Sequence, residues 1–317
     1  MKTRSIERRS VVKFMAAAAI AAAVPTGLRA AGASPGTSTA TTGMAMRKVP
    51  RSGEAVPVIG MGSSNTFDVG SAAAELDPLR EVLRAFAAAG ASVVDTSPMY
   101  GRSEAVLGDL IAELGLRPRL WLATKVWTRG REAGAAQIAE SMRLLRTDRL
   151  ELLQIHNLLD WREHLPTVRA LQKEGKVRYS GITHYRADAH AELERVLAAE
   201  RFDWLQVNYS LAEREAEVQL LPFCRDKGVA VMVNRPFADG AMFERVRGKP
   251  LPPWAAEIGC ASWAQFFLKF VVSHPAVTCV IPATAKVKHV QDNLKAGLAP
   301  LPDAAQRARM AEYWQSL

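Results

Sequence analysis

The sequence predicts an α/β protein built as a (β/α)8 TIM barrel with an N-terminal β-hairpin. Short apolar runs typical of buried strands alternate with helical patterns eight times over about 270 residues, and this fold typically takes about 250. Such alternation of strand and helix predicts a parallel sheet. A doubly wound sheet is the alternative fold, but no Gly-x-Gly-x-x-Gly turn follows the first strand.

Each element of the barrel has its own signal within residues 46–317. Ser52 and Gly53 between two short alternating runs predict the hairpin, and the apolar run 58–62 is the first barrel strand. The other predicted strands lie near 92–95, 120–125, 150–155, 179–183, 204–208, 229–235 and 277–282. The predicted helices lie near 77–89, 104–114, 133–146, 164–174, 188–198, 215–227, 261–273 and 288–296. The long segment 237–260, rich in glycine and proline, is typical of a functional lid.

Three successive predicted strands end on ionisable residues. These are Asp95, Lys125 and His156, at intervals of about thirty residues, the length of one strand–helix unit. A carboxylate at the end of a buried strand is costly without a partner, and Lys125 offers one. Tyr100 follows Asp95 in the first loop. Because active sites of TIM barrels lie at the carboxyl ends of the strands, we expect these four side chains to share one rim.

These four residue types suit the reduction of a carbonyl group by hydride. The ordinary pKa of tyrosine, about 10, is high for an acid at neutral pH, and the ammonium of Lys125 should lower the pKa of Tyr100. His156 can orient the carbonyl oxygen and donate a hydrogen bond to it. Tyr100 is therefore predicted as the acid/base, with Lys125 and Asp95 adjusting its pKa. The alternative is a purely structural ion pair beside a rim aromatic.

The chain resembles the aldo-keto reductases along most of its length. The matching segments are Asp-Thr-Ser-Pro-Met-Tyr-Gly (95–101), Ala-Thr-Lys (123–125) and Leu-Gln-Ile-His-Asn (153–157). The resemblance implies an NAD(P)H-dependent oxidoreductase that reduces an aldehyde or ketone to an alcohol, or catalyses the reverse reaction. It also implies that the hairpin closes the bottom of the barrel.

The resemblance further implies a nicotinamide site at the strand ends. Thr183 and His184 stand where the family has serine and asparagine, and Gln206 matches the glutamine that holds the carboxamide. The end of the seventh strand lacks the family's aromatic residue, which stacks on the nicotinamide. Asn234 stands in its place, and Arg235 would cover the ring or reach the pyrophosphate. The other residues expected at this end of the cofactor are Gly62, Ser63, Asp95 and Pro236, and Ser64 follows Ser63.

The adenosine end of the cofactor is expected at the start of the last helix. The resemblance assigns it to Ala283, Thr284, Lys286, His289, Asp292 and Asn293. His289 stands where the family often has an arginine for the 2′-phosphate, and Lys286 or Lys288 could take that phosphate instead. We therefore predict NADP as the cofactor, with NAD as the alternative.

Two tryptophans are candidates for the wall of the substrate pocket. Trp127 follows Lys125 and Trp161 follows His156, each in a loop above the predicted rim. Both would favour an apolar or ring-shaped carbonyl substrate. Ordinary loop packing is the alternative for both residues.

Residues 1–33 are typical of a twin-arginine export signal. Arg8 and Arg9 precede an apolar run, 14–24, and small residues follow up to a possible cleavage site near residue 32. An N-terminal membrane anchor is the alternative, but the run is too short to span a bilayer comfortably. Residues 34–45 predict a flexible linker before the barrel of residues 46–317. We therefore expect a periplasmic protein without a permanent membrane span, exported by the twin-arginine machinery.

The charge distribution argues against a nucleic-acid partner. The formal net charge is +9, and five of these charges lie in the first 30 residues. No dense basic patch lies beyond that leader. The three cysteines lack the spacing of metal ligands. The resemblance to the aldo-keto reductases implies a small-molecule carbonyl substrate as the partner.

Two other functions remain open at this point. A catalytically idle barrel would bind a nucleotide or another ligand, and the departures at His184 and Asn234 keep that possibility open. A Schiff-base lyase would use Lys125, since lysines at strand ends serve this role in other barrels. Turnover of generic aldehydes separates the reductase from the idle barrel, and borohydride trapping on Lys125 would identify the lyase.

Overall fold

The computed structural model describes residues 43–317, and its centre is a closed parallel barrel. The strands are β1 (Met46–Lys48), β2 (Ala55–Pro57), β3 (Met61–Gly62), β4 (Val93–Asp95), β5 (Trp121–Val126), β6 (Leu150–His156), β7 (Val177–His184), β8 (Trp204–Asn208), β9 (Ala230–Asn234) and β10 (Cys279–Val280). Strands β3 to β10 pair in sequence order, all parallel. Parallel bridges from Ile59 to Val280 and from Gly62 to Ala283 close the sheet. The predicted (β/α)8 barrel is confirmed.

Ten helices surround the barrel within the described residues. They are α1 (Ala73–Ala88), α2 (Ser103–Glu113), α3 (Arg131–Leu144), α4 (Trp161–Lys173), α5 (His190–Ala199), α6 (Leu220–Lys227), α7 (Ala241–Arg245), α8 (Trp263–Val272), α9 (Val287–Lys295) and α10 (Ala304–Ser316). The helix predicted at 215–227 begins only at Leu220, because Gln219 has φ −140° and interrupts the helix. Helix α10 was not predicted, although Asp303 and Gln306 form a capping box at its start.

The predicted hairpin is present and covers the amino-terminal end of the barrel. Strands β1 and β2 pair antiparallel. The Tyr179 hydroxyl lies 2.7 Å from Ser52 Oγ and 2.6 Å from a carboxylate oxygen of Glu54 in the hairpin. Trp121 and Trp204, the first residues of β5 and β8, pack together beneath it with ring centroids 5.3 Å apart. Aromatic packing therefore fills the bottom of the barrel, and the opposite end is free to carry polar groups.

The barrel interior changes from apolar to polar along the strands. Side chains two residues apart face the same side of a strand. In β5 this places Trp121, Ala123 and Lys125 on one side, and in β8 it places Trp204 and Gln206 together. The lower members of these series belong to a buried apolar cluster, whereas the upper ones are buried polar groups. The same alternation that builds the core therefore delivers the polar residues to the carboxyl ends of the strands.

The segment 237–260 is partly helical and packs against the barrel wall. It contains α7 and two 3-10 turns, Ala238–Gly240 and Pro253–Ile258. Phe237 and Phe243 contact Phe267 of α8, with ring centroids 6.5 and 5.6 Å apart. This packing holds the segment beside the carboxyl end of the barrel, and its role as a lid stays a prediction.

The predicted export signal and most of the linker lie outside the described residues. Within residues 43–317, no helix is both long and apolar enough to cross a membrane.

Candidate active site

A buried ion pair lies at the carboxyl end of the barrel. Lys125 Nζ is 2.7 Å from Asp95 Oδ2, and the side chains are 0% and 2% exposed. Lys125 also donates to the carbonyl oxygen of Thr96 at 2.7 Å. Burial lowers the pKa of Lys125, but its interactions with Asp95 and Tyr100 together outweigh burial, so the net pKa is raised. The lysine is therefore an ammonium at neutral pH.

Two buried amides hold the other oxygen of Asp95. Gln154 and Gln206 donate to Asp95 Oδ1 through their Nε2 atoms, at 3.0 and 2.9 Å. Gln206 in turn accepts from Thr183 Oγ1 at 3.4 Å and from Asn234 Nδ2 at 3.3 Å. Because both carboxylate oxygens are engaged, Asp95 is fixed in position beside Lys125.

Tyr100 lies directly over this ion pair. Lys125 Nζ is 5.0 Å from the centroid of the Tyr100 ring. Burial raises the pKa of Tyr100, and the opposing effect of Lys125 does not overcome it. The expected net lowering of this pKa is therefore wrong for the protein without ligands, because desolvation dominates. Tyr100 consequently carries its proton at neutral pH.

The loop that presents Tyr100 is held in place on the carboxyl side of the tyrosine. Gly101 has φ +56°, and a Cβ atom at this position would collide with the carboxylate of Asp68. Asp68 also accepts a hydrogen bond from the Arg102 backbone N–H at 2.9 Å. Behind the loop, the buried carboxylate of Glu104 accepts from Thr124, next to Lys125. These contacts fix the tyrosine relative to the ion pair.

His156 stands beside Tyr100 as a neutral imidazole. The two rings meet edge to face, with centroids 6.2 Å apart. Burial, followed by the charge of Lys125 and the proximity of His184, lowers the pKa of His156 to about 2. Its Nδ1 lies 3.1 Å from the hydroxyl of Ser97. A neutral imidazole can donate one hydrogen bond without bringing a charge into the site.

These residues face a cleft of about 580 Å³ at the top of the barrel. The predicted site residues that line it are Gly62, Ser63, Asp95, Tyr100, His156, Thr183, Gln206, Asn234, Arg235, Pro236 and Ala283, with Ser64 beside them. Lys125 lies behind Tyr100 and is not part of the lining. A lysine buried in this way cannot reach a carbonyl group in the cleft, which disfavours the Schiff-base lyase.

Several polar atoms of the cleft wall have no partner within residues 43–317. They are Ser63 Oγ, Asn157 Oδ1, Asn234 Oδ1 and Arg235 Nε. Buried polar atoms are normally hydrogen-bonded, so this set marks places for polar groups of a ligand. Donors and acceptors of this kind fit the carboxamide and phosphate groups of a nicotinamide dinucleotide. Arg235 also reaches Glu213 at 3.3 Å and Asp239 at 3.2 Å.

Other predicted site residues lie away from the cleft wall. The ring of His184 stacks on Tyr185, and its Nδ1 accepts from the Arg186 backbone. Asp292 accepts from Ser262 and Gln265 at 2.6 Å each, so both of its oxygens are engaged by the start of α8. The remaining members of this group are Thr284, Lys286, His289 and Asn293, all in or beside α9. Their contact with an adenosine group stays a prediction.

The two predicted substrate tryptophans differ in position. Trp127 is 40% exposed, and its ring centroid lies 6.2 Å from that of His156, at the edge of the site. Trp161 is buried at the start of α4, beneath the guanidinium of Arg162, and does not line the cleft. Trp161 therefore packs the scaffold, because the helix begins directly at this residue and turns its side chain into the core.

Sequence reasoning did not identify part of the cleft wall. The additional lining residues are Asn65, Thr66, Met99, Asn157, Tyr185, Phe237, Asp239, Gly240, Phe243 and Ile281. Gln154 was also missed, although a glutamine within the apolar run Leu152 to Ile155 was a usable signal. Phe237, Asp239, Gly240 and Phe243 lie in the segment 237–260 that was predicted as a lid. The sequence did not show which residues of the loops face the cleft, because that depends on how each loop folds over the barrel.

We predict that Asp95→Asn lowers the free energy of unfolding by about 3–5 kcal/mol at pH 7, because it leaves the ammonium of Lys125 buried without its carboxylate. Asparagine keeps an acceptor for the two glutamines and so isolates the loss of charge. Urea denaturation measures the effect, and the double variant Asp95→Asn/Lys125→Met should recover part of the loss.

The pH dependence of the stability deficit tests whether the charge on Lys125 causes it. In the native pair the pKa of Lys125 is raised, so its contribution to stability is complete below the ordinary value of 10.5 and is lost as the pH rises through the folded value. In the variant, burial is left to lower the pKa of Lys125, so its stability deficit should shrink as the pH rises from 7 to 10. An equal deficit at both pH values would show that Lys125 is not the source of the effect.

Comparison with known proteins gives one consistent result. The model of the aldo/keto reductase family matches residues 58–313. Methylglyoxal reductase YeaE of Escherichia coli is 30% identical over 258 residues, which cover 79% of this chain and 89% of that protein. L-Galactose dehydrogenase of Arabidopsis thaliana is 28% identical over 285 residues, covering 80% and 88%.

A solved structure agrees with these relatives. The aldo/keto reductase of Klebsiella pneumoniae in complex with NADP and acetate superposes with a TM-score of 0.70 and 29% identity. The match covers 83% of this chain and 93% of that one. The matched residues, 58–313, span the whole barrel and include the Lys125–Asp95 ion pair, Tyr100 and His156. This chain belongs to the aldo-keto reductase family.

Proposed function

We propose that this protein reduces an aldehyde or ketone to the corresponding alcohol with NADPH, using Tyr100 as the proton donor. The predicted enzyme class, an NAD(P)-dependent oxidoreductase, follows from the family to which the chain belongs. The observation that carries the proposal is a protonated Tyr100 over the Lys125–Asp95 ion pair, beside a neutral His156 on the same cleft. This arrangement supports a working reductase over an idle barrel.

Each residue has a defined role in this reaction. The reduced nicotinamide, when bound, supplies the hydride that adds to the carbonyl carbon. Tyr100 gives its hydroxyl proton to the carbonyl oxygen, so the product is a neutral alcohol. Lys125 stabilises the phenolate that remains, and Asp95 keeps the lysine charged and in place. His156 donates a hydrogen bond that orients the carbonyl oxygen and stabilises its developing charge.

The polar atoms of the cleft support NADP as the cofactor. The Klebsiella pneumoniae protein, 29% identical, was solved with NADP. In this chain, Thr183, Gln206 and Asn234 form a connected polar group suited to a carboxamide. Arg235 offers its unpaired Nε–H to a phosphate oxygen.

The mouth of the cleft favours a carbonyl substrate with an apolar or aromatic part. Met99, Tyr185 and Phe243 line the cleft, Trp127 lies beside His156, and all four are between 37% and 43% exposed. Exposed apolar groups that cluster at a binding cleft mark a surface that a ligand covers. The catalytic groups lie deeper, so the carbonyl end would enter first.

For the proton donor, we predict that Tyr100→Phe reduces carbonyl turnover by about 10²–10⁴-fold, because a positioned general acid contributes that factor. The variant should bind NADPH as tightly as the native protein, which fluorescence titration would measure. Tyr313→Phe, which removes a hydroxyl from α10 away from the cleft, is the matched control. Turnover of Tyr100→Phe within a few-fold of native would remove Tyr100 from this role.

For the cofactor, we predict that Arg235→Ala raises the dissociation constants of NADPH and NADH by similar factors. Arg235 lines the cleft and is held by two carboxylates, whereas Lys286 is exposed to solvent. Lys286→Ala should therefore have the smaller effect. Fluorescence quenching titrations with both nucleotides would decide. A loss confined to Lys286→Ala with NADPH would instead place the 2′-phosphate at that lysine.

We also propose that the protein is periplasmic and reaches the periplasm by the twin-arginine route. The pair Arg8 and Arg9 before an apolar run supports this proposal. Replacing both arginines with lysine should retain the full-length chain in the cytoplasm. Cell fractionation with immunoblotting would measure the distribution, and normal periplasmic yield of the double variant would rule out this route.

A further inference from the structure

A buried serine contacts the histidine of the active site from behind. Ser97 is fully buried in the loop that presents Tyr100. Its Oγ lies 3.1 Å from His156 Nδ1 and 3.4 Å from the backbone nitrogen of Met99. No other hydrogen bond of this hydroxyl occurs within residues 43–317. Ser97 lies outside the set of four residues assigned above to the reaction.

The hydrogen bonds of Ser97 decide the direction of its contact with His156. A serine hydroxyl has one proton to donate and can accept two hydrogen bonds. The Met99 N–H can only donate, so it occupies an acceptor position of Ser97. If His156 Nδ1 also donated, the buried hydroxyl proton would have no acceptor in the described chain, which is unfavourable. The hydroxyl is satisfied when it donates to Nδ1.

This direction fixes which nitrogen of His156 carries the proton. A neutral imidazole has one N–H, so an Nδ1 that accepts from Ser97 requires the proton on Nε2. Within the described chain, Nε2 makes no hydrogen bond, and the His156 ring lines the cleft. The Nε2–H is thus left free for a ligand. In the opposite tautomer a lone pair would face the cleft, and it would repel a carbonyl oxygen.

We propose that Ser97 is a positioning residue that holds His156 in the tautomer able to donate to the substrate. This inference rests on the proposed reductase function for its effect on rate, but the tautomer itself is a property of the protein without substrate. The serine acts through the histidine and does not touch the reacting atoms.

The tautomer can be read directly by nitrogen NMR of protein labelled with ¹⁵N-histidine. The chain has six histidines, and the signals missing from a His156→Gln variant assign His156. In the native protein, we expect His156 Nδ1 to resonate as an unprotonated acceptor nitrogen and Nε2 as an N–H. In Ser97→Ala, both signals should move towards intermediate values as the two tautomers interconvert. A native His156 protonated on Nδ1, or signals unchanged in Ser97→Ala, would overturn the proposal.

Kinetics test the consequence for the reaction. Ser97→Ala should lower kcat/KM for an aldehyde by roughly 3- to 10-fold, the factor that corresponds to one net hydrogen bond, with the NADPH dissociation constant unchanged. Ser97→Thr keeps the hydroxyl and should restore most of the rate and the native nitrogen signals. A threonine variant as impaired as the alanine variant would show that the loss comes from packing.

A matched control separates this effect from general destabilisation. Ser180 in β7 is 3% exposed and donates to Asp203 at 3.1 Å away from the cleft, so Ser180→Ala also removes a buried hydroxyl donor. It should leave kcat/KM per folded molecule and the His156 signals unchanged. Different results would contradict the proposed reductase function and the proposed role of Ser97. If Tyr100→Phe keeps full turnover, the reductase mechanism is wrong, whereas the nitrogen signals still decide the role of Ser97.

Discussion

The buried ion pair between Lys125 and Asp95 is the constraint on which the rest of the site depends. An ammonium with no exposed surface is tolerated only beside a fixed carboxylate, and that carboxylate needs hydrogen bonds for its second oxygen. Gln154 and Gln206 supply them from β6 and β8. Four strands must therefore keep their register for one charge pair to be satisfied. A shift of one residue in any of them would turn its polar group out of the barrel.

The sequence predicted the parts of the structure that follow from periodicity. Asp95, Lys125 and His156 end strands one unit apart, so the parallel barrel was sufficient to bring them together. The role of Gln154 was harder to predict. Whether a single glutamine in an apolar strand faces the barrel interior can be decided only when the register of the strand is known. The net pKa of Tyr100 was predicted with the wrong sign, because the charge of Lys125 is visible in the sequence and the depth of burial is not. Trp161 was assigned to the substrate pocket because the sequence suggested that it lies in a loop. In the structure it is the first residue of α4, and its ring is buried in the core.

The end of the cleft proposed to hold the cofactor is connected to the proposed catalytic residues by a continuous set of hydrogen bonds. Asn234 donates to Gln206, and Gln206 donates to Asp95, which holds Lys125 beneath Tyr100. The asparagine that replaces the family's stacking aromatic thus belongs to the network that orders the ion pair. A group bound at Asn234 would polarise this network, because chains of hydrogen bonds strengthen one another in a low-dielectric interior. Loss of the aromatic surface is therefore accompanied by a polar link between the two halves of the site.

In the proposed reaction, the protonation states of Tyr100 and His156 suit the donation of hydrogen bonds and a proton to a carbonyl oxygen at neutral pH. Burial keeps the proton on Tyr100 and keeps His156 uncharged, so the cleft presents two neutral donors to an incoming oxygen atom. A carbonyl oxygen gains charge as hydride adds to its carbon, and both donors strengthen as that charge appears. Oxidation of an alcohol would instead need a base, and Tyr100 becomes one only after losing a proton that its desolvated position retains. In the proposed reaction, the positive charge of Lys125 would stabilise the phenolate once it forms, so the ion pair that organises the site would also limit the cost of the proton transfer.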